Sequence, residues 1–145
     1  MPAVMPPLVV YNSISEYKTH FEKYYCREKI TTFDDIRVYF DIAKFGHAFY
    51  ESSARNGQKD SFSMVRAERI DWIRVTLENP HAELYQGWNK EEKCFQPDRR
   101  VSVLYGDFIV VIELNRQRAL KKAKFITAYL ADNSIEKIRK SPKWI

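Results

Sequence analysis

Apolar and polar positions towards the C-terminus predict three β-strands with short connections. The apolar-rich runs 101–105 and 108–114 are separated by Gly106-Asp107, a pair that is typical of a tight turn. Because the run 108–114 is almost entirely apolar, it predicts a central strand that is covered on both faces. The third run, 123–129, follows a longer and basic connection.

Alternation along the third strand assigns its side chains to two faces. Successive residues of a strand point to opposite sides, so one face is predicted to carry Phe125, Thr127 and Tyr129. The other face is predicted to carry Lys124, Ile126 and Ala128. Two hydroxyl-bearing side chains on one face of a buried strand make that face a candidate place for chemistry.

Helical spacing of apolar residues predicts two helices before these strands. Ser13-x-x-Glu16 is a capping box, and the helix that it opens is predicted to end near Cys26. The apolar stripe of this helix is Ile14, Tyr17, Phe21 and Tyr24. Residues 1–12 are predicted to form an extended arm in front of it.

Ser63 is the predicted N-cap of a second helix, 64–77, which an Asn-Pro pair terminates. Arg66 and Arg69 are three positions apart, so they are predicted to lie close together on one side of this helix. The buried stripe on the neighbouring side is predicted to be Ile70, Ile73 and Leu77.

Weaker patterns complete the outline. They predict strands at 36–40 and 82–88, a helix or loop at 46–50, loops at 52–60 (a candidate flap) and 89–100, and a short terminal helix at 134–139. Helices followed by a strand meander predict an α+β fold, with helices packed on one face of a central antiparallel β-sheet. The 145 residues are predicted to form a single domain.

Composition narrows the class of protein. Hydrophobic residues make up 45% and charged residues 30% of the chain, which is typical of globular proteins. No apolar run approaches the roughly 20 residues of a membrane-spanning helix, and the N-terminus lacks the pattern of a signal peptide. The sequence therefore predicts a cytoplasmic protein without membrane contact, in which Cys26 and Cys94 stay reduced.

The three histidines have different sequence contexts. His20 lies among charged residues and is predicted to be exposed, and His81 is predicted to begin a loop. His47 follows a glycine and is flanked by Phe45 and Phe49. It is either a partly buried histidine with one hydrogen bond or a functional residue.

The candidate chemistry requires neither a metal nor a cofactor. The chain contains no Cys-x-x-Cys pair, no His-x-x-x-His pair and no glycine-rich phosphate loop. The net charge of +5 suits a polyanionic partner, because Lys and Arg displace counterions from phosphates. His, Arg, Thr and Tyr on a basic domain are sufficient for cleavage of RNA, in which the 2′-OH is the nucleophile.

Several motifs together resemble the phage barnase–EndoU–colicin–RelE-like nuclease family. They are Phe45-Gly-His47, Phe62-Ser-x-x-Arg66-Ala-Glu-Arg69-Ile-x-Trp72, Leu77-Glu-Asn-Pro80, Phe108-Ile-Val-Val-Ile112 and Lys124-Phe-Ile-Thr127-Ala-Tyr129. The resemblance covers a nuclease-like core, residues 36–132. One departure is Leu130, which replaces the proline that usually follows Thr-Ala-Tyr in this family.

The resemblance implies a compact α+β fold and endoribonuclease activity, in a toxin-like or phage-associated setting. It implies that His47 is the general base or acid and that Arg66 and Arg69 bind the scissile phosphate, unless one of them pairs with Glu68 or Asp71. Thr127 and Tyr129 complete the implied site. The implied partners are RNA, with tRNA among the candidates, and a neutralising antitoxin or immunity protein.

Two other functions are compatible with the sequence. The basic and aromatic residues suit a nucleic-acid-binding module without catalysis. Alternatively, a protein-interaction domain on a nuclease-like fold would use the apolar N-terminal arm to dock on a partner.

Overall fold

A computed structural model describes residues 5–51, 61–89, 94–114 and 122–131, together with Glu136 and Arg139. For residues 86–89 and 94–101, the description covers the backbone alone. The predicted loop 52–60 and the basic connection 115–121 lie outside the described residues. So does most of the predicted terminal helix 134–139, although Glu136 and Arg139 are both helical.

Short helices and short strands occupy the first half of the described chain, and longer strands occupy the second half. The helices are α1 (Ile14–Phe21), α2 (Phe45–Ala48), α3 (Met64–Ala67) and α4 (Trp72–Glu78). A π-helical turn, Glu22–Cys26, extends α1, and a 3₁₀ turn, Ile42–Lys44, precedes α2. The strands are β1 (Ile30–Thr31), β2 (Arg37–Tyr39), β3 (Tyr50–Glu51), β4 (Ser61–Phe62), β5 (Glu83–Asn89), β6 (Cys94–Tyr105), β7 (Phe108–Leu114) and β8 (Lys122–Leu130).

Six of these strands form one mixed sheet in the order β1-β2-β8-β7-β6-β5, which gives an α+β fold. Strands β5 to β8 form the predicted antiparallel meander, and Gly106 has the positive φ of 62° that its turn requires. The prediction of an antiparallel sheet is wrong at one pairing inside the sheet, where β2 pairs with β8 in parallel. The helices between β2 and the meander provide the long connection that a parallel pair needs.

The main hydrophobic core lies between the helices and one face of the sheet, called here the inner face. Phe108, Val110 and Ile112 of β7 are buried in this core together with α1 residues Tyr17 and Phe21. A second cluster occupies the opposite, outer face and contains Ile109 and Val111 of the same strand, with Tyr85, Leu104 and Ala131. The prediction that 108–114 is a central strand covered on both faces is therefore confirmed.

A β-bulge in β8 overturns the predicted alternation of its side chains. Val111 pairs with Thr127, but the next residue, Ile112, pairs with Phe125, so Ile126 is the extra residue. Because the alternation shifts at the bulge, Phe125 and Ala128 both belong to the inner core. Thr127 and Tyr129 lie on the outer face, opposite Val111 and Ile109. They share a face as predicted, but not with Phe125.

Helix α1 begins at the predicted cap. The Ser13 hydroxyl accepts a hydrogen bond from the Glu16 N–H at 3.2 Å and donates one to the Glu16 carboxylate at 3.0 Å. The helical segment ends at Cys26, as predicted. Of the predicted stripe, Tyr17 and Phe21 are buried, whereas Ile14 and Tyr24 are 43% and 42% exposed. The π-helical turn that follows Phe21 presents Tyr25 to the core in place of Tyr24.

The predicted helix 64–77 is interrupted between α3 and α4. Its N-cap is confirmed, because the Ser63 hydroxyl accepts from the Arg66 N–H at 3.3 Å. The Tyr25 hydroxyl then inserts into the helical ladder: it donates to the Ile70 carbonyl at 2.6 Å and accepts from the Arg74 N–H at 3.4 Å. An inserted side chain of this kind breaks or bends a helix. Below the break, Asn79 caps α4, and the predicted stripe Ile70, Ile73 and Leu77 is fully buried.

The predicted loop 89–100 is wrong over most of its length. Strand β6 begins at Cys94, where its backbone pairs with Asn89 to lengthen the β5–β6 hairpin. Cross-strand pairing therefore outweighs the charged composition that favoured a loop.

Candidate functional site

His47 is carried by α2, a helix of four residues. The Asp41 carboxylate caps the preceding 3₁₀ turn by accepting from the Ala43 N–H at 2.9 Å. Phe45 and Ala48 anchor α2 in the core, at 4% and 0% exposure, and the side chain of His47 is exposed. The interpretation of His47 as a partly buried histidine is therefore wrong, and its imidazole is accessible from solvent.

The Arg66 guanidinium lies beside the backbone of the residue that follows His47. Its Nη1 donates to the Ala48 carbonyl at 3.2 Å, and its Nε lies 3.5 Å from a carboxylate oxygen of Glu51. Its Cζ lies 5.5 Å from the centre of the Tyr129 ring, a cation–π distance. Arg66 thus connects α2, the start of β3–β4 and the end of β8.

An open edge of β8 allows this arrangement. Strand β2 pairs with β8 only over Lys122–Lys124, and helices α2 and α3 also contact β8. Arg66 lies within cation–π distance of Tyr129, which is on the outer face. Two of the sequence-predicted residues, Arg66 and Tyr129, are therefore brought together from separate elements, and His47 directly precedes the Ala48 carbonyl that Arg66 contacts.

Tyr129 provides a neutral phenol. Burial raises the pKa of this phenol, and the nearby Arg66 charge lowers the pKa by a smaller amount. The hydroxyl therefore stays protonated at neutral pH and is available as a hydrogen-bond donor. Thr127 lies on the same face, but its hydroxyl is buried and has no hydrogen-bond partner within the described residues.

Arg69 contacts a different set of groups. Its Nη1 donates to the Val65 carbonyl at 2.8 Å and to the Glu68 carboxylate at 2.9 Å, and its Cζ lies 5.0 Å from the Trp72 ring centre. The predicted pairing of one arginine with Glu68 is confirmed. The guanidinium groups of Arg66 and Arg69 therefore have different bonding partners.

Glu51 is a member of the site that sequence reasoning missed. Its carboxylate is 54% exposed and lies beside Arg66. No spacing rule identifies it, because β3 is only two residues long. Only the fold brings it to α3.

A second histidine, His20 of α1, has a contrasting environment. His20 is only 8% exposed, so the prediction that it is solvent-exposed is wrong. Its Nε2 lies 2.7 Å from the Asp71 carboxylate and its Nδ1 lies 2.8 Å from the Tyr11 hydroxyl. Because a carboxylate only accepts hydrogen bonds, Nε2 is the donor in the pair with Asp71. These groups border an open groove of about 420 Å³ that also contains Tyr24 and Arg74.

Metal-ligating and membrane-spanning features were also sought in the described ranges. Within them, His, Cys, Asp and Glu side chains form no group of three or more that would hold a metal ion. No helix within those ranges is long and apolar enough to span a membrane. Comparison with protein-family models, with curated proteins and with solved structures gives no significant match.

Proposed function

We propose that this protein is a metal-independent endoribonuclease whose site is formed by His47, Arg66 and Tyr129. The observation that carries this proposal is the position of the Arg66 guanidinium. It is bonded to the backbone beside an exposed histidine and stacked against a neutral phenol. A proton acceptor, a fixed cation and a hydrogen-bond donor are the groups that transesterification of RNA requires.

In the proposed reaction, neutral His47 accepts the proton of the ribose 2′-OH. The O2′ electron pair then forms a bond to phosphorus as the bond from phosphorus to the 5′-oxygen breaks. The departing 5′-oxygen takes a proton from water, and His47 releases its proton to solvent. The products are a 2′,3′-cyclic phosphate and a 5′-hydroxyl, so no protein nucleophile and no redox partner take part.

Arg66 is assigned to the charge that develops on the phosphoryl oxygens. A guanidinium carries five N–H donors, and the contacts to Ala48 and Glu51 use two of its nitrogens. Glu51 and the Ala48 carbonyl hold the group in place before substrate arrives, which is the condition for electrostatic stabilisation. Tyr129 donates to the same oxygens. Thr127 supports this end of β8, and Arg69 is assigned to packing with Trp72.

The surrounding charge supports a phosphate substrate. The net charge of +5 attracts a polyanion, and association with RNA is expected to weaken steeply as salt increases. An RNA substrate agrees with a cytoplasmic location and a toxin-like role. In that role, a neutralising antitoxin would protect the producing cell.

The test is cleavage of total RNA and tRNA by the purified protein in EDTA, with His47→Ala and His81→Ala compared side by side. His81 is the matched control, because it is also exposed and follows α4 in a turn. We expect wild type and His81→Ala to release cyclic phosphate ends, and His47→Ala to be slower by about 10²- to 10⁴-fold. An unchanged rate in His47→Ala would remove His47 from the site.

The same experiment separates the two alternatives. If all three proteins bind RNA and none releases product, the nucleic-acid-binding module is the better description. If none binds RNA, a protein-interaction domain is favoured, with the arm before α1 as its docking segment.

A further inference from the structure

Tyr39 stands on the outer face of the sheet, between positive charges. Val38 and Ala123 pair with each other and are buried in the inner core, at 1% exposure each. Their neighbours on both strands therefore point outwards. These outward residues are Arg37, Tyr39, Lys122 and Lys124.

The Tyr39 ring is held by two of these cations and still faces solvent. The Cζ of Arg37 lies 4.7 Å and the Nζ of Lys122 lies 5.7 Å from its ring centre, both within cation–π range. The side chain is nevertheless 42% exposed. Glu113 lies opposite Lys124 across the β7–β8 pairing and offsets one of the positive charges. An exposed ring with adjacent cations offers a base a stacking surface and its phosphates a counter-charge.

The outer face of β8 connects this position to the proposed cleavage site. Because of the bulge at Ile126, the outward side chains of β8 run from Lys122 and Lys124 to Thr127 and Tyr129. Lys124 pairs with Tyr39, so the path from Tyr39 to Tyr129 covers five residues of strand, roughly 16 Å at 3.3 Å per residue. A single strand laid along β8 would meet a cation-flanked aromatic ring at each end.

We propose that Tyr39, with Arg37 and Lys122, is a base-stacking subsite for a single-stranded segment of the RNA substrate. The subsite rests on the proposed ribonuclease function and adds the substrate class to it. In a duplex the faces of the bases are stacked within the helix, whereas an unpaired base can lie on an aromatic ring. Double-stranded RNA is consequently a poor ligand for this subsite.

Substrate length gives the sharpest test. A dinucleotide fills the cleavage site alone, whereas an octanucleotide extends along β8 to Tyr39. We expect Tyr39→Leu to lower kcat/KM about 5- to 100-fold on the octanucleotide, mainly through KM, and to leave the dinucleotide rate unchanged. Tyr39→Phe keeps the ring and is expected to behave as wild type on both substrates.

A matched tyrosine controls for general effects of losing an exposed ring. Tyr24 is also 42% exposed and has a lysine, Lys23, at 5.2 Å from its ring centre, but it lies in the π-helical turn. Tyr24→Leu is expected to leave kcat/KM unchanged on both the dinucleotide and the octanucleotide. Equal losses in Tyr24→Leu and Tyr39→Leu would overturn the subsite, as would an equal effect of Tyr39→Leu on both substrate lengths.

Binding of an all-2′-deoxy octanucleotide separates the subsite from catalysis, because this ligand has no 2′-OH and cannot be cleaved by the proposed reaction. Fluorescence anisotropy should show about 5- to 100-fold weaker binding by Tyr39→Leu. In Arg37→Gln and Lys122→Gln, the salt slope should be shallower by about 1. If Tyr39→Leu weakens binding in this way but the wild-type protein cleaves no RNA, the stacking subsite is supported and the ribonuclease function is contradicted. Cleavage without a Tyr39 effect, or no octanucleotide binding at all, overturns the subsite.

Discussion

His47 and His20 are carried by different helices, α2 and α1, and differ in their exposure to solvent. His20 is buried, and both ring nitrogens are bonded, to Asp71 and to Tyr11. His47 is exposed, on a helix whose residues Phe45 and Ala48 are buried in the core. A histidine–carboxylate pair is the more familiar sign of acid–base chemistry, yet the exposed ring directly precedes the backbone carbonyl that Arg66 contacts. In the proposed reaction, access from solvent is the reason to assign the proton transfer to His47 and not to His20.

The contacts of His20 belong to a set that fastens the N-terminal arm. The Trp72 indole donates to the Pro6 carbonyl at 2.8 Å, and the Val9 N–H donates to the Glu68 carbonyl at 2.8 Å. The Tyr17 hydroxyl donates to the Val9 carbonyl at 2.8 Å. His20 adds a bond to Tyr11 at the end of this series. Its environment is thus explained by stability.

The largest difference in cleavage rate is expected between substitutions of Arg66 and of Arg69. Both substitutions Arg66→Gln and Arg69→Gln remove one positive charge, so their effects on long-range attraction of RNA should match. Arg66→Gln also removes the donor assigned to the phosphoryl oxygens, and we expect the single-turnover cleavage rate to fall about 10²-fold. Arg69→Gln should stay within a few-fold of wild type at low salt.

Thermal unfolding of the same two proteins is the control for this pair, since each arginine also bonds to backbone. A rate loss in Arg69→Gln that equals the loss in Arg66→Gln would assign the phosphate to both arginines. The break between α3 and α4 would then not separate their functions.

Sequence reasoning predicts features that depend on neighbouring residues and misses features that depend on contacts between distant segments. The Ser13 and Ser63 caps and the central strand β7 depend on local patterns, and the structure confirms them. The bulge at Ile126 and the insertion of Tyr25 into the helical ladder depend on contacts between distant segments. Periodicity carries no information about such contacts, so both were missed.

The residues of the candidate site also divide into those that a sequence motif identifies and those that only the fold identifies. Resemblance of motifs selected His47, Arg66, Arg69, Thr127 and Tyr129, and the fold brings Arg66 to Tyr129. Glu51 has no motif, and its role depends on a contact with Arg66 across the fold. Tyr39 is one aromatic residue among many in the sequence. Only the pairing of β2 with β8 shows that it stands between Arg37 and Lys122.

A smaller effect, on stability instead of rate, is expected at His20. His20→Ala leaves the Asp71 carboxylate and the Tyr11 hydroxyl without their imidazole partner, which costs about 1–3 kcal/mol. For a chain of this size, Tm should fall by about 3–10 °C in differential scanning calorimetry. The rate of RNA cleavage, measured well below Tm, should match wild type.

Tyr11→Phe distinguishes the two bonds of His20. It removes only the bond at Nδ1 and should lower stability by about 0.5–1.5 kcal/mol. If His20→Ala loses cleavage while the protein is still fully folded, the proton transfer would be assigned to the Tyr11–His20–Asp71 group instead of His47.

The smallest expected effect is on the pH dependence of stability, through the buried phenol groups of Tyr25 and Tyr129. Burial raises the pKa of Tyr25 far above its usual value of 10.0, and Asp71 raises it further, although the N–H and the charge of Arg74 oppose this. Above pH 10 the unfolded chain releases a proton that folded Tyr25 keeps. The phenol therefore destabilises the fold by a further 1.4 kcal/mol or so with each pH unit.

Urea unfolding at pH 7 and pH 11 measures this difference. At pH 7, Tyr25→Phe should be about 0.5–1.5 kcal/mol less stable than wild type, because it loses the bond to the Ile70 carbonyl. Between pH 10 and pH 11, the deficit should close or reverse, because the substituted protein lacks the proton-linked penalty. For Tyr129→Phe, the stability relative to wild type should change less between pH 10 and pH 11, since this phenol lies closer to solvent and beside the charge of Arg66. Parallel pH curves for wild type and Tyr25→Phe would mean that the Tyr25 hydroxyl is accessible to base in the folded protein. The break between α3 and α4 would then need another cause.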